Sequence, residues 1–409
     1  MRIVDLSQTA YKNYSNIHSR RNFGQTIEYA NIESNIHKQR LFLGYIDDDE
    51  NIYAATLILI RNISPTIREA IAPNGFLIDY ADYDLVRDFT NALISRLKKE
   101  RITYLITNPM FKYRVLNNKN IIIENNENLL NNLLNIGYRS IGYFSDFEKY
   151  DIIIENDIST NDIFRHFNRN TKRNINEGIN LGISLKKGKI NDIEKAYNIF
   201  KKKTKKSLEY YKNLMTIYNN DDNKMEIFFA SLNPHRYLVN IQKIYENEKK
   251  KNARIHTSFN NHIGNISEKL LNKKINSDNT LEKYKQELNK AIQINQLYTD
   301  DIIIGTSIVI KNNHEIYFLI DGYKEEFRHI HSTHILKWAI IKKYFERGYH
   351  IFNLGEIHKK YADKSSKYYG HYRYKIGFGG NIIEYTPNLM YVINKPLYNL
   401  YSKINRKKN

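Results

Sequence analysis

A lysine among aromatic residues is the most informative feature of this sequence. The run Tyr369–Gly380 reads YGHYRYKIGFGG, and an extended stretch follows it at 382–385. The ammonium group of Lys375 is a compact charge that can approach a developing alkoxide. On residue type alone, the alternative that Lys375 is one of many surface lysines stays open. The glycines of this run follow the lysine instead of preceding it, so a phosphate-binding ATP loop is not indicated and we expect no use of ATP.

Three histidines raise the question of a metal site. His329, His331 and His334 lie within six residues, and neutral imidazoles at such spacing can bind zinc. No Asp, Glu or Cys partner clearly completes a ligand set, and the chain has no cysteine at all. We therefore expect no metal and predict that these histidines begin a helix.

The charge of the chain favours anionic partners. Lys and Arg number 63 against 44 Asp and Glu, a formal net charge of +19. Such a field attracts phosphate-bearing molecules such as nucleic acid, nucleotide sugars or anionic lipid headgroups. The alternative is codon bias, since Asn, Ile, Lys and Tyr are abundant throughout.

Two segments repeat one plan of structure. Each contains two alternating or β-branched strands around a polar turn, then an amphipathic helix, then another strand. The first copy is predicted at 41–46, 52–60, 84–99 and 102–107. The second copy is predicted at 301–310, 315–320, 333–347 and 350–354. This order predicts two similar α/β halves.

A helical arm interrupts the second half. Between 243 and 296, apolar residues recur at steps of three or four on both sides of the polar stretch Asn276–Thr280. The pattern predicts an antiparallel coiled-coil hairpin that turns at Asn276–Thr280. Lysines such as Lys249 and Lys273 give this arm a basic surface, which is suited to a long polyanion or is only a solvated helix face.

Together these features resemble the FemABX family, the non-ribosomal peptidyltransferases that build peptidoglycan cross-bridges. Tyr374 and Lys375 stand where that family has an aromatic residue and a lysine before a Phe and a strand. The arm resembles the coiled coil of the FemA and FemB branch. Other matching segments, in the family's order, are Phe23–Gln25, Ala72–Asp79, Thr171–Leu185, Leu336–Trp338 and Asn353–Gly355.

The resemblance implies an α/β (α+β) fold of two GNAT-like acyltransferase subdomains with the coiled-coil arm inserted. The first subdomain would span 1–155, with the segment 386–409 returning to it. The second would comprise 156–242 and 297–385, and the arm 243–296.

The resemblance also implies an aminoacyltransferase. An amino acid of the Gly, Ala or Ser class would pass from aminoacyl-tRNA to the stem-peptide amine of lipid II or UDP-MurNAc-pentapeptide. The tRNA would be a co-substrate, and no cofactor is implied. Lys375 would stabilise the tetrahedral oxyanion. No general base can be assigned, and Asp321 and Glu356, near the ends of predicted strands, are candidates.

Residues for substrate binding follow from the same resemblance. Tyr374 would act beside Lys375. Thr204, Lys206 and Tyr210 match a Thr-x-basic-x-x-x-Tyr pattern, in which Lys206 would take the phosphate of the precursor. A lysine in place of arginine loses the bidentate fork.

Three further residues complete the predicted site. Tyr104 and Asn108 match an early Tyr-to-Asp pairing, with Asn in place of Asp. The alternative for Tyr104 is a residue of the strand core. Arg173, on a basic helix, would meet tRNA or precursor phosphate, or would simply be solvated.

Two other functions remain open. A transferase of this fold could act on another amine, or the protein could bind RNA without catalysis. The sequence contains no predicted membrane span, and Met1–Tyr14 lacks the features of a signal peptide. We expect a cytoplasmic protein, with peripheral contact to the inner membrane face through the basic tail 403–409 as a further possibility. The oligomeric state is not readable.

Overall fold

Two mixed sheets and the helices packed on them form the body of the protein. The computed structural model describes residues 1–19, 22–33, 39–145, 149–220, 223–262, 264–312 and 315–406. The strands are β1 (Arg2–Asp5), β2 (Gln39–Ile46), β3 (Ile52–Asn62), β4 (Arg68–Ala72), β5 (Tyr104–Thr107), β6 (Lys112–Leu116), β7 (Ile122–Asn125), β8 (Arg139–Gly142), β9 (Tyr150–Glu155), β10 (Ser184–Lys187), β11 (Lys224–Leu232), β12 (Ile302–Lys311), β13 (Glu315–Tyr323), β14 (Ile351–Ile357), β15 (Asn381–Tyr385) and β16 (Asn388–Val392). The helices are α1 (Gln8–Ile17), α2 (Ile27–Ile32), α3 (Tyr83–Lys99), α4 (Glu127–Ile136), α5 (Thr160–His166), α6 (Arg169–Asn180), α7 (Ile193–Phe200), α8 (Leu208–Ile217), α9 (Pro234–Asn260), α10 (Glu268–Leu297), α11 (Ser332–Phe345), α12 (Tyr369–Ile376) and α13 (Lys395–Arg406). Short 3₁₀ turns lie at Phe23–Gln25, Ile190–Asp192, Lys201–Lys203 and Glu325–Ile330.

The two sheets repeat one topology, which confirms the predicted pair of α/β halves. The first sheet has the order β1-β2-β3-β4-β5-β16-β8 and the second the order β10-β11-β12-β13-β14-β9-β15-β6-β7. In each, three antiparallel pairings lead to one parallel pairing, β4 with β5 and β13 with β14. The helix between those parallel strands is α3 in the first half and α11 in the second. The crossover that a parallel pair requires is therefore helical in both halves.

The sheets do not divide the chain at the predicted boundary of residue 155. Strands β6, β7 and β9 precede that boundary, yet they belong to the second sheet. After β15 the chain returns to the first sheet, where β16 lies between β5 and β8. Helix α13 follows, with Leu397, Tyr398 and Tyr401 packed against that sheet. Of the basic tail 403–409, the last three residues lie outside the described part of the chain.

Helices α9 and α10 form an antiparallel hairpin between β11 and β12, but the predicted turn was wrong. Residues Asn276–Thr280 lie inside α10, and the chain reverses between α9 and α10, where Gly264 has a φ of +104°. The polar residues do not turn because they bond across the hairpin. Asp278 Oδ1 accepts from Asn252 Nδ2 at 2.7 Å and lies 2.6 Å from His256 Nε2. Supercoiling of the two helices stays a prediction.

Close packing fixes α11 against the second sheet and α6. At Gly178 of α6, an added Cβ would lie 2.0 Å from Ile335 Cδ1 of α11, so any larger residue would require the Ile335 side chain to move. Within α11, Leu336, Lys337 and Ile341 are completely removed from solvent. This helix is therefore buried on more than one face, and its side chains reach the interior of the second half. No described helix is long and apolar enough to span a membrane.

Candidate active site

A cavity opens where two parallel strands separate. Strands β13 and β14 pair only from Glu315–Tyr317 to Ile351–Asn353, although both continue further. The space beyond holds a cavity of about 770 Å³. Its walls come from β13, β14, α11 and α12. Helix α6 and the 3₁₀ turns Lys201–Lys203 and Glu325–Ile330 also contribute lining residues. The lining residues include Lys203, Asp321, His334, Gly355, Glu356, Tyr374 and Lys375.

Gly355 shapes the floor of this cavity. Its φ is +82°, a left-handed conformation that glycine adopts without strain. The side chain of Asn353 holds the turn, since its Oδ1 accepts from Gly355 N at 2.8 Å and its Nδ2 donates to Asp151 Oδ2 at 2.9 Å. The pairing of β14 with β9 is irregular between Asn353 and Glu356. Strand β14 therefore bends away from β13 at this point.

Lys375 projects onto that floor from α12. It is buried, and its Nζ donates to the backbone oxygen of Glu356 at 2.9 Å. Burial, followed by the nearby charge of Lys337, lowers the pKa of Lys375 from 10.5 to about 8. The end of α12 is anchored to the start of α6, because Asn168 N donates to Gly377 O at 2.8 Å. The predicted catalytic lysine is thus fixed by a hydrogen bond at the cavity, and its pKa is lower than that of an ordinary lysine.

A buried ion pair lies behind Lys375. Lys337 Nζ is 2.9 Å from Asp321 Oδ2 and 3.7 Å from the ring centroid of Phe318. Asp321 Oδ1 accepts from Ser307 Oγ at 2.6 Å, and Tyr374 OH lies 3.4 Å from Asp321 Oδ2. Lys337 was not predicted from the sequence as a site residue. The available signal was a lysine four residues before Ile341, on a helix face that is otherwise apolar.

The three histidines point in different directions. His334 packs edge-on against Tyr374 at 4.8 Å between ring centroids, and burial lowers the pKa of His334 to about 3. His329 Nε2 lies instead 2.5 Å from Glu287 Oε1 on the helical hairpin. His331 has a φ of +57° just before α11 begins. Among the described residues, no three His, Cys, Asp or Glu side chains are arranged to hold a metal ion.

Of the predicted phosphate-binding residues, Thr204 and Lys206 lie on the loop that precedes α8, and Tyr210 lies in the first turn of α8. Lys203, one residue before Thr204, lines the cavity, and its Nζ is 4.1 Å from the ring centroid of Tyr323. Thr204 Oγ1 accepts from Tyr211 OH at 3.1 Å. Lys206 is exposed with its Nζ 4.8 Å from the ring centroid of Tyr210. Thr204, Lys206 and Tyr210 are not among the residues that line the cavity.

The remaining predicted residues do not converge on Lys375. Tyr104 is buried in the first sheet, donates to Glu69 Oε2 at 3.0 Å and packs against α13. Asn108 Oδ1 accepts from Asn74 N at 2.7 Å, which ties the ends of β4 and β5 together. Arg173 is exposed on α6, one residue before the cavity-lining Asn174. The strand-core interpretation of Tyr104 therefore describes its observed surroundings.

The chemistry of the cavity follows from its charges. Lys203, Arg328 and Lys375 supply cationic groups, while Asp321 already pairs with Lys337. A buried ammonium acts on a developing oxyanion more strongly than the same charge in water. The cavity can therefore hold an anionic ligand and stabilise the tetrahedral intermediate of acyl transfer.

Comparison with known proteins gives one consistent family. The profile of the FemAB family matches residues 6–406. The aminoacyltransferase FemA of Staphylococcus epidermidis is 23% identical over 379 residues, 90% of each chain. FemA of Staphylococcus aureus is 21% identical over 436 residues, covering 100% of this chain and 99% of the relative. The crystal structure of FemX superimposes with a TM-score of 0.74 at 15% identity, covering 98% of this chain and 99% of that chain. This last likeness shows a shared fold.

Proposed function

The chain belongs to the FemAB family and is an aminoacyltransferase, and from that premise we propose its reaction and substrates. The proposed donor is an aminoacyl-tRNA carrying an amino acid of the Gly, Ala or Ser class. The proposed acceptor is the stem-peptide amine of a peptidoglycan precursor, either lipid II or UDP-MurNAc-pentapeptide. The product would be one residue of the interpeptide bridge.

The observation that carries this proposal is the buried Lys375 amine on the cavity floor. The neutral acceptor amine attacks the ester carbonyl, and the carbonyl oxygen gains negative charge in the tetrahedral intermediate. The Lys375 ammonium stabilises this oxyanion. As the intermediate collapses, the new C–N bond remains, the bond to the ribose oxygen breaks, and the proton of the amine ends on that oxygen.

The proton of the acceptor amine is proposed to move through groups of the substrates themselves or through one exposed carboxylate. Asp321 is engaged by Lys337 and Ser307, so its carboxylate is poorly placed to accept another proton. Glu356 is exposed and lines the cavity. Of the two carboxylates considered from the sequence, we therefore propose Glu356 as the candidate base.

The anionic parts of the precursor fit the basic loop beside the cavity. Lys203 lines the cavity and Lys206 follows on the same loop. We propose that this loop meets the diphosphate, with Thr204 and Tyr210 supporting it. Arg173 is proposed to meet phosphate of either substrate. Tyr104 and Asn108 lie in the first half of the protein, and their roles in substrate binding stay predictions.

We propose that the reaction takes place in the cytoplasm, because its tRNA donor occurs there. Contact with the inner membrane face would bring the enzyme to a lipid-linked acceptor, and the net charge of +19 supports attraction to an anionic surface.

An in vitro transfer assay tests the proposal. Purified protein is mixed with single labelled aminoacyl-tRNAs and with lipid II or UDP-MurNAc-pentapeptide. Label on one acceptor identifies the donor amino acid and the precursor. Transfer only to other amines would replace the acceptor. RNA binding that ignores aminoacylation, with no transfer to any amine, would favour the non-catalytic alternative.

A further inference from the structure

Lys337 is a charged side chain without contact to solvent. Its exposed fraction is 0%, and it lies in the middle of α11. Burying an ammonium costs free energy unless a partner of opposite charge accompanies it. Asp321 is that partner at 2.9 Å, and the face of Phe318 covers the ammonium at 3.7 Å. Buried ion pairs rarely stabilise a fold more than apolar packing does. The position of this pair beside Lys375 therefore points to a role other than stability.

The pair connects the elements that surround Lys375. Asp321 lies on β13, Lys337 on α11, and Ser307, which donates to Asp321 at 2.6 Å, on β12. Tyr374 OH approaches the same carboxylate at 3.4 Å and the backbone oxygen of Thr333 at 3.2 Å. Since Tyr374 directly precedes Lys375 on α12, the carboxylate fixes the helix that carries the proposed catalytic amine.

The surroundings of Lys375 contain charges of both signs. Besides Lys337 on α11, the charged groups that act on Lys375 are Asp151 on β9, Asp321 on β13 and Glu356 on β14. The other titratable groups around the cavity are His334 on α11, His371 on α12, Tyr317 and Tyr323 on β13, Tyr374 on α12, and Lys203, Arg328 and His331. After burial, the charge of Lys337 is the largest cause that lowers the pKa of Lys375.

We propose that Lys337 is a positioning residue for the transfer: through Asp321 and Tyr374, its buried ammonium holds Lys375 in place behind the reacting oxygen. This inference rests on the proposed function, in which Lys375 contacts that oxygen. The repulsion between the two ammonium groups also weakens the hold of Lys375 on its proton. A more acidic ammonium is a stronger donor to an oxyanion, so the repulsion aids the step that Lys375 performs.

Two variants remove the charge of Lys337, and they differ in whether a hydrogen-bond donor remains at this position. Lys337→Met removes the charge and leaves no polar group beside Asp321, whereas Lys337→Gln removes the charge and retains an amide donor. Lys343→Met is the matched control, because Lys343 lies on the same helix, packs on Phe228 at 4.7 Å, and does not line the cavity. Thermal unfolding first identifies which variants are folded.

The readout is the titration midpoint of Lys375, measured without substrates. Trace acetylation across a range of pH, followed by mass spectrometry of the peptide that contains Lys375, reports this midpoint. We expect about 8 in the unaltered protein and in Lys343→Met. Both Lys337 variants should move it upward by on the order of one unit. Lys337→Met should also lower kcat several-fold more than Lys337→Gln, with KM nearly unchanged.

The outcomes are distinct from those of the transfer assay. A midpoint in folded Lys337→Gln that equals the unaltered value would overturn the inference, even if transfer is observed. A raised midpoint together with a fall in kcat supports it. If the midpoint rises but the unaltered protein transfers nothing, the coupling of Lys337 to Lys375 stands and the proposed function fails.

Discussion

Lys375 and Glu356 are joined by a 2.9 Å hydrogen bond from the lysine Nζ to the glutamate backbone oxygen. The bond fastens α12 to the bent part of β14, at the place where β13 and β14 separate. The amine therefore has a fixed position relative to the cavity.

Replacing the amine should impair chemistry more than binding. We expect Lys375→Ala to lower kcat by ~10²–10³-fold, because the developing oxyanion loses its charged donor, while the Kd for the precursor changes little. Steady-state transfer and equilibrium binding measure the two effects. Lys367→Ala, an exposed lysine of the preceding segment, is the control and should match the unaltered enzyme. Equal turnover in Lys375→Ala would remove this residue from the mechanism.

The rate of transfer should fall at alkaline pH. The pKa of Lys375 is lowered to about 8, so the ammonium form is present below that pH and lost above it. The stability of the fold should change in the other direction. Between about pH 8 and the ordinary pKa of 10.5, the unfolded chain binds more protons at this group than the folded protein, so the free energy of unfolding rises with pH. A profile of kcat against pH should decline through about 8. The small residual activity of Lys375→Ala should lack that decline.

Crowding at Gly355 should affect activity specifically. An alanine Cβ there would lie 3.1 Å from Lys375 Nζ and 3.3 Å from the backbone oxygen of Phe318. Gly348→Ala is the matched control, because its φ of +87° resembles the +82° of Gly355 and no atom lies within 4 Å of the added Cβ. Both changes should cost about 1 kcal/mol of folding free energy, measured by urea unfolding. Only Gly355→Ala should also lose most of its transfer activity.

Asp151 should be important for stability. It is buried, burial raises its pKa, and its Oδ2 accepts from Asn353 Nδ2 at 2.9 Å and lies 3.3 Å from Tyr385 OH. Asp151→Ala should lower the free energy of unfolding by about 3 kcal/mol, because both buried donors lose their acceptor. Asp48→Ala, at a side chain that is 95% exposed, should change it by less than about 0.5 kcal/mol. A change of similar size in both variants would contradict this account.

The basic loop should affect recognition of the precursor. We expect Lys203→Ala to raise the KM for the nucleotide-linked precursor roughly tenfold, the equivalent of one charge-assisted hydrogen bond, with kcat nearly constant. Lys206→Ala tests the residue chosen from the sequence, and Lys205→Ala is the control on the same loop. If only Lys206→Ala raises KM, the phosphate lies outside the cavity wall. If none of the three changes KM, the loop does not bind the diphosphate.

Local patterns predicted much of the fold correctly. The strands around polar turns and the helices between parallel strands are recognisable because side-chain periodicity reflects which face is buried. The turn of the helical hairpin was misplaced because the polar residues Asn276–Thr280 are typical of a loop when read alone. Their partners, Asn252 and His256, lie on the other helix, where local sequence gives no indication of them.

The functional site, like the fold, was only partly predictable from the sequence. The sequence by itself determined the family and the two repeated halves, and it predicted a role for Lys375, because these depend on residue types in a fixed order. The tertiary structure alone decided that Lys337 and Asp321 pair behind that lysine, and that Tyr104 and Asn108 lie apart from it. Residues distant in the chain meet only when the sheets are formed, and burial then sets their charges and proton affinities.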